Sequence, residues 1–270
     1  MKVGFPNNPR KDIKSEIKWI GDNGFDFVDL FLEPDKADLG KVNIKKVKGQ
    51  LDYYGMERIG HTAWYLPIGS PLRELRACAV EIIERYLDAF VEIGCDKVTI
   101  HSNWPPSLFS EDEGVEFQTE SIQNILDFAS DAGVKILLEP LGTPYDHAGN
   151  IDRILALNEE LYFHADIGHL NIFDREPVEY LRRYKDKLMH VHMHDNNGSD
   201  DLHLPIGSGT IDWDHLLSSL NMFYDGTITL EIFSDDREYV LYSKKKLLDK
   251  WSRLNIKSQR KSGESLVGRV

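Results

Sequence analysis

The chain has 270 residues, 41% hydrophobic and 29% charged, the make-up of an ordinary globular protein. Its 45 acidic against 32 basic side chains leave a formal net charge of −13, which repels nucleic-acid phosphate and anionic membrane unless a local basic patch intervenes. Cys78 and Cys95 are its two cysteines, too few for a disulfide framework or a thiolate metal cluster, and with no long apolar run and no signal-like start the expected location is cytoplasmic, without a membrane partner.

Short apolar strands alternate with amphipathic helices from end to end. A strand over 2–6 precedes a helix over 12–23, whose Ile13, Ile17 and Ile20 share one face. The second strand, 25–32, leads to a helix within 41–54. The third, 58–64, is followed by a long helix over 72–93, started by Ser70-Pro71. A fourth strand covers 97–102, and its loop carries Trp104, Pro105 and Pro106 before a helix that reaches about residue 131. Then come strand 135–141, a helix near 150–157, strand 161–167, helix 177–184 and strand 188–194. Helix 212–220, strand 227–233 and helix 237–254 close the chain.

Eight strand–helix units predict an α/β fold, a single (β/α)8 TIM barrel over residues 1–254, because eight is the number of parallel strands that closes. An open doubly wound sheet would want a Gly-rich turn after the first strand, and Phe5-Pro6-Asn7-Asn8-Pro9 is not one. Residues 255–270 change character, with Lys257, Arg260, Lys261 and Arg269 and little apolar periodicity. They are expected to form a basic tail outside the barrel.

The chemistry concentrates at the strand ends. His190, His192 and His194 alternate with Val191 and Met193, so a strand sends all three imidazoles to one face. A polar inner face on a buried strand makes sense if it ends in a metal site, and Asp201 and His203 follow within loop reach. The same alternation applied from the third strand onward makes six strands finish on His61, His101, Glu139, Asp166, His194 and Glu231. In a barrel these C-terminal ends converge on one bowl.

Glu139, Asp166, His192 and Glu231 together offer three carboxylates and one imidazole. That set suits a divalent ion such as Mn²⁺, Mg²⁺, Co²⁺ or Zn²⁺, and the carboxylates would repel one another without a cation. His61, His101, Asp201 and His203 enrich the nitrogen content, which favours zinc and leaves room for more than one ion. Asp166 and His169 share the site only if the chain turns between them, which Gly168 permits. Gly207 and Gly209 open a loop whose amides either bind a substrate phosphate or form a tight turn capped by Asp212. Trp64 and Trp104 lie just past two strands, placed to stack on a sugar ring or a base.

With these residues in view, the chain resembles the xylose-isomerase-like TIM-barrel superfamily. That group includes sugar and sugar-phosphate isomerases and epimerases, inosose dehydratases and endonuclease IV. The resemblance runs from about Met1 to Trp251. It rests on Leu138-Glu139-Pro140, Asp166-Ile167-Gly168-His169, the stretch from His192 to Gly198, the stretch from Asp201 to Trp213, and Leu230-Glu231. It implies a metal held by Glu139, Asp166, His192 and Glu231, with His169 contacting substrate or a second ion. It further implies that Glu139 and Glu231 act as an acid–base pair on a ketose, passing a proton through an enediolate. His61, His101, Trp64, Trp104, His194, Gly207 and Gly209 are then expected around the substrate. Xylose isomerase itself uses a hydride route and a partner lysine, and no strand-end lysine fills that role in the fifth unit. The endonuclease IV pattern is matched by His61, His101, Glu139, Asp166, His169, His192, Asp201, His203 and Glu231, so a zinc-dependent nuclease acting on abasic DNA is the alternative, with a dehydratase behind it. Two departures count against the nuclease: the usual Glu-Asn is Glu139-Pro140 here, and the charge disfavours DNA. A homodimer is implied only at the family level.

Overall fold

The computed structural model describes residues 1–173 and 175–267, with side chains described through residue 256. The first half runs β1 (Lys2–Pro6), α1 (Ile13–Asp22), β2 (Phe27–Phe31), α2 (Ile44–Tyr54), β3 (Glu57–His61), α3 (Arg73–Ile93), β4 (Lys97–His101) and α4 (Glu111–Ala132). The second half runs β5 (Lys135–Glu139), α5 (Ala148–Leu157), β6 (Leu161–Asp166), α6 (Pro177–Arg183), β7 (Leu188–Met193), α7 (Trp213–Leu220), β8 (Thr227–Leu230) and α8 (Glu238–Val267). Every strand pairs in parallel with its sequence neighbours, and β8 closes onto β1. The single barrel expected from the repeat is the fold.

Two apolar layers follow from the alternation. Val28, Leu30, Val98, Ile100, Ile136, Leu138, Val191 and Ile228 point outward and join the helices in one buried core. The inward positions are different. Phe27, Ile59 and Leu137 fill the barrel low down, and above them the interior turns polar, with Asp29, Thr99, His164, His190, His192 and Thr229 all fully buried. Gly4 on β1 makes room for that filling, since a Cβ there would stand 2.3 Å from the Phe27 ring.

Helix starts follow local chemistry. Ser110 and Glu113 form a reciprocal capping box on α4, and Asp12 caps α1 through the Ser15 amide. Ser70 does not start α3 as expected: the helix begins at Arg73, while the Ser70 hydroxyl accepts from the Leu72 amide. Strands β3, β5 and β8 end two or three residues before the expected bounds, because the chain leaves the ladder once its inward side chains reach the open end of the barrel. The last helix does the reverse and continues to Val267, with no proline in the segment to stop it. The side chains of Lys257, Arg260 and Lys261, and all of Arg269, lie outside the described residues. Among the described residues no helix is long and apolar enough to cross a membrane.

Candidate metal centre

The register of the barrel brings the strand ends together. His101 pairs with Glu139 across β4 and β5, and Asp166 with His192 across β6 and β7. Glu139, Asp166, His192 and Glu231 then offer ligand atoms that all lie within 4.8 Å of one another. His192 Nδ1 stands 3.0 Å from Glu231 Oε2, 3.7 Å from Asp166 Oδ2 and 3.9 Å from Glu139 Oε1. Asp166 divides its two oxygens. Oδ1 accepts from the His169 amide at 2.7 Å, at the first residue of the 3₁₀ turn His169–Asn171, while Oδ2, buried, has no hydrogen-bond partner among the described residues. Glu139 Oε2 is likewise buried without one. Buried carboxylate oxygens left unpaired are costly, and three carboxylates with one imidazole are the donor set a divalent ion takes. The residues present fit such an ion.

Two further groups flank this set. His61, His101 and Glu139 form one, with His101 Nε2 at 3.4 Å and His61 Nε2 at 3.6 Å from Glu139 Oε2. His169, His194, Asp201 and His203 form the other. Here the tautomers are set by backbone carbonyls, which only accept. His169 donates from Nδ1 to Pro140 O at 3.0 Å and His203 donates from Nδ1 to Glu231 O at 2.9 Å. Both rings therefore turn Nε2 toward Asp201, at 3.4 and 3.0 Å. His203 holds a left-handed backbone, φ 46°, which costs free energy outside glycine. Its ring is clamped between His194 and Phe233, with centroids at 4.0 and 4.1 Å.

Gly168 serves the site differently from the expectation. Its own backbone is ordinary right-handed helix, φ −68°, so the turn does not require glycine. What requires it is space: a Cβ would lie 1.9 Å from the His194 ring.

Above these groups lies a cavity of about 810 Å³ whose wall includes His61, His101, Trp64, Glu139, His169 and Glu231. Trp64 stands on its rim, 59% exposed. Several expected substrate contacts are elsewhere. Trp104 donates from Nε1 to Asp146 at 2.7 Å and packs beside Tyr145 rather than on the cavity wall. His194 is buried beneath the cavity, 3.0 Å from Asp166 Oδ1. Gly207 and Gly209 are not brought to the bowl either. Their loop is filled by Asp195, whose Oδ2 accepts from the Gly207 amide and Trp213 Nε1, both at 2.8 Å, and whose Oδ1 accepts from the amides of Asn196 and Ile211 at 3.0 and 3.3 Å. A Cβ on Gly209 would meet Asn196 O at 2.0 Å. The loop binds an anion, but it is the chain's own. Asp212 caps α7 through the amides of Asp214 and His215, which is the tight-turn reading.

The sequence model of the xylose isomerase-like TIM-barrel family matches residues 17–253. The chain belongs to that family. Among its relatives, an uncharacterised protein of Methanocaldococcus jannaschii is 30% identical over 235 residues, 82% of this chain and 79% of that one. The 3-dehydro-D-guloside 4-epimerase of Escherichia coli is 27% identical over 259 residues, 86% of this chain and 94% of the enzyme. Of solved structures, a D-tagatose 3-epimerase-like protein superposes with a TM-score of 0.85 at 27% identity, covering 96% of this chain and all of that one.

In this family member, facing imidazoles offset part of the buried carboxylate charge. Burial opposes a charge on Glu139, yet the imidazoles of His192 and His169 hold its carboxyl well below the usual range. Asp166 and Asp201 are lowered as well: burial opposes this, and His169 is a main counterweight in both. The partners move the other way. Burial works against protonating His169, His192 and His203, but facing carboxylates raise all three, His203 to about 9. Deeper in the barrel, burial pushes His190 down to about 4 and His164 well below its usual range, so these two rings are neutral beneath a lattice of paired charges.

Asp29 and Glu33 are among the residues of this region that went unread in the sequence. Asp29, fully buried on β2, places Oδ2 2.6 Å from His192 Nε2. Glu33, just past the same strand, lines the cavity with its carboxyl raised by burial. The signal for Asp29 was present: a single carboxylate at an inward position of the apolar strand Phe27-Val28-Asp29-Leu30-Phe31.

Proposed function

We propose that the protein is a divalent-metal-dependent isomerase or epimerase of a sugar or sugar phosphate. The observation that carries this reading is the convergence of Glu139 and Glu231 on His192 and Asp166 within one buried set, in a chain similar over most of its length to a sugar epimerase. Glu139, Asp166, His192 and Glu231 would hold Mn²⁺, Zn²⁺, Co²⁺ or Mg²⁺, which when bound polarises a substrate carbonyl and lowers the cost of negative charge developing beside it. Glu139 and Glu231 divide the proton work. One carboxylate removes the proton from the carbon next to the carbonyl, leaving the substrate as an enediolate, and the other returns a proton to the opposite face. His61, His101 and His169 on the cavity wall orient the sugar hydroxyls, and Trp64 offers a ring face at the rim.

The test is solvent exchange. Incubated in D₂O with a panel of ketoses and ketose phosphates, the protein should place deuterium at the carbon next to the carbonyl, and Glu139→Gln or Glu231→Gln should reduce exchange by about 10²–10⁴-fold. Exchange that survives both substitutions overturns the assignment. The groups around His61 and His101 and around Asp201 and His203 favour one second reading, a multinuclear zinc hydrolase. Incision of an abasic-site duplex, lost with His61→Ala or His101→Ala, would establish it in place of the epimerase.

A further inference from the structure

Asp29 has no place in the set that would hold the ion, yet it is built into it from below. It is fully buried on β2. Its Oδ2 takes His192 Nε2 at 2.6 Å and the Thr229 hydroxyl at 3.2 Å, with His190 Nε2 3.4 Å away. Its Oδ1 faces His61 Nδ1 at 3.6 Å, and neither of those two atoms has a hydrogen-bond partner among the described residues. The two imidazoles stack over this carboxylate, centroids 5.2 Å apart and planes within 27°. Each presents its other nitrogen upward. His192 Nδ1 faces Glu231 Oε2 at 3.0 Å, and His61 Nε2 faces His101 Nε2 at 2.8 Å and Glu139 Oε2 at 3.6 Å.

We propose that Asp29 is a positioning residue that fixes the tautomer and plane of His192 and His61 together, and so couples the two metal-binding groups to which those rings belong. The inference rests on the metal reading given above. A carboxylate accepts and does not donate, so a ring nitrogen directed at it carries the hydrogen. In His192 that keeps N–H on Nε2, so Nδ1, which faces Glu139, Asp166 and Glu231, is the nitrogen that would give up its hydrogen to take an ion. In His61 the carboxylate oxygen 3.6 Å from Nδ1 is too far for a hydrogen bond but favours the hydrogen on that nitrogen by its charge, which leaves Nε2 toward His101 and Glu139. Carboxylates behind ligating imidazoles have this orienting effect generally, and their loss weakens metal binding by about 10–100-fold. Asp29 differs in serving two rings with two oxygens. An amide in its place offers one acceptor, and one ring goes without.

Two measurements decide it. In the first, wild type, Asp29→Asn and Asp29→Ala are stripped with chelator and titrated with Co²⁺, following visible absorption and bound-metal stoichiometry beside the melting temperature of each stripped protein. Both variants should bind Co²⁺ about 10–100-fold more weakly with an altered spectrum. A lower melting temperature with wild-type affinity and spectrum would make Asp29 a packing residue and overturn the proposal. The second needs no variant. In zinc-loaded wild type labelled with ¹⁵N-histidine, long-range ¹H–¹⁵N correlations should place the hydrogen of His192 on Nε2 and that of His61 on Nδ1; the opposite tautomer in either ring overturns the proposal. Failure of the metal reading is told apart at once, because wild type itself would then bind no Co²⁺.

Discussion

Replacing Asp195 by alanine tests whether the loop after β7 is held by a single carboxylate. Asp195 accepts from three backbone amides and one indole N–H and is fully buried. Hydrogen bonds to a charged acceptor contribute about 1.5–3 kcal/mol each, but these four share one carboxylate, and water entering the space would satisfy some donors. A net loss of about 3–5 kcal/mol is the reasoned figure, since four buried donors lose their acceptor at about 1–3 kcal/mol each and water returns part of it. For a domain somewhat above 200 residues, each kcal/mol lowers the melting temperature by about 2–4 °C, so the expected drop is roughly 6–20 °C. The effect should also reach the site. Asp195 pairs backbone to backbone with Leu204 in both directions at 2.8 Å, and Asp201 and His203 lie on the chain between those two points. Calorimetry on Asp195→Ala, with Co²⁺ stoichiometry on the same sample, should show the lower transition together with weaker binding at the His169, Asp201 and His203 group. A transition within about 2 °C of wild type would mean the loop is held by other contacts, and the reasoning would fail.

Two other outcomes follow from the same geometry. In the stripped protein His169, His192 and His203 have folded pKa values above the ordinary histidine value, so the stability they contribute is full below about pH 6.5 and is lost as pH rises through the folded values, toward about 9 for His203. Metal binding needs the deprotonated rings, so affinity climbs over the same window; the gap in melting temperature between metal-loaded and stripped protein should widen from pH 6.5 to 8.5, and a narrowing gap refutes the assignment of these rings as ligands. Gly168→Ala should leave the backbone unstrained yet cost about 1–3 kcal/mol by overpacking, since its Cβ would fall 1.9 Å from the His194 ring; unchanged calorimetry and unchanged metal stoichiometry would mean His194 has room to move aside.

The barrel and most of its candidate site were legible because both are periodic. Strand alternation is a property of the backbone, so a run such as His190-Val191-His192-Met193 declares which side chains face inward before any fold is known. The strand ends then had to converge, because a closed barrel leaves them nowhere else to point. Element bounds were less readable. Strands β3, β5 and β8 stop where the chain leaves its neighbour's ladder, which depends on the neighbour and not on local residues.

What escaped reading is what depends on a contact between distant segments. A glycine-rich loop looks the same whether its amides cradle a substrate's phosphate or the carboxylate of Asp195, and Asp195 Oδ2 reaches the Gly207 amide at 2.8 Å only once β7 and the loop are folded together. Trp104 sits one loop past a barrel strand in the sequence, as Trp64 does, but Asp146 takes its N–H and turns its ring from the cavity. Asp29 is the reverse case. Its charge is one residue in an otherwise apolar strand, weak as a pattern, and its importance comes from where β2 lies in the ring. Parallel closure sets β2 beside β1 and β3, and the barrel is narrow enough for its inward carboxylate to reach across to His192 on β7. A site of this kind is therefore read best by its outliers. The residue whose burial costs most, and whose partners lie farthest away in sequence, is the one the fold has been arranged to accommodate.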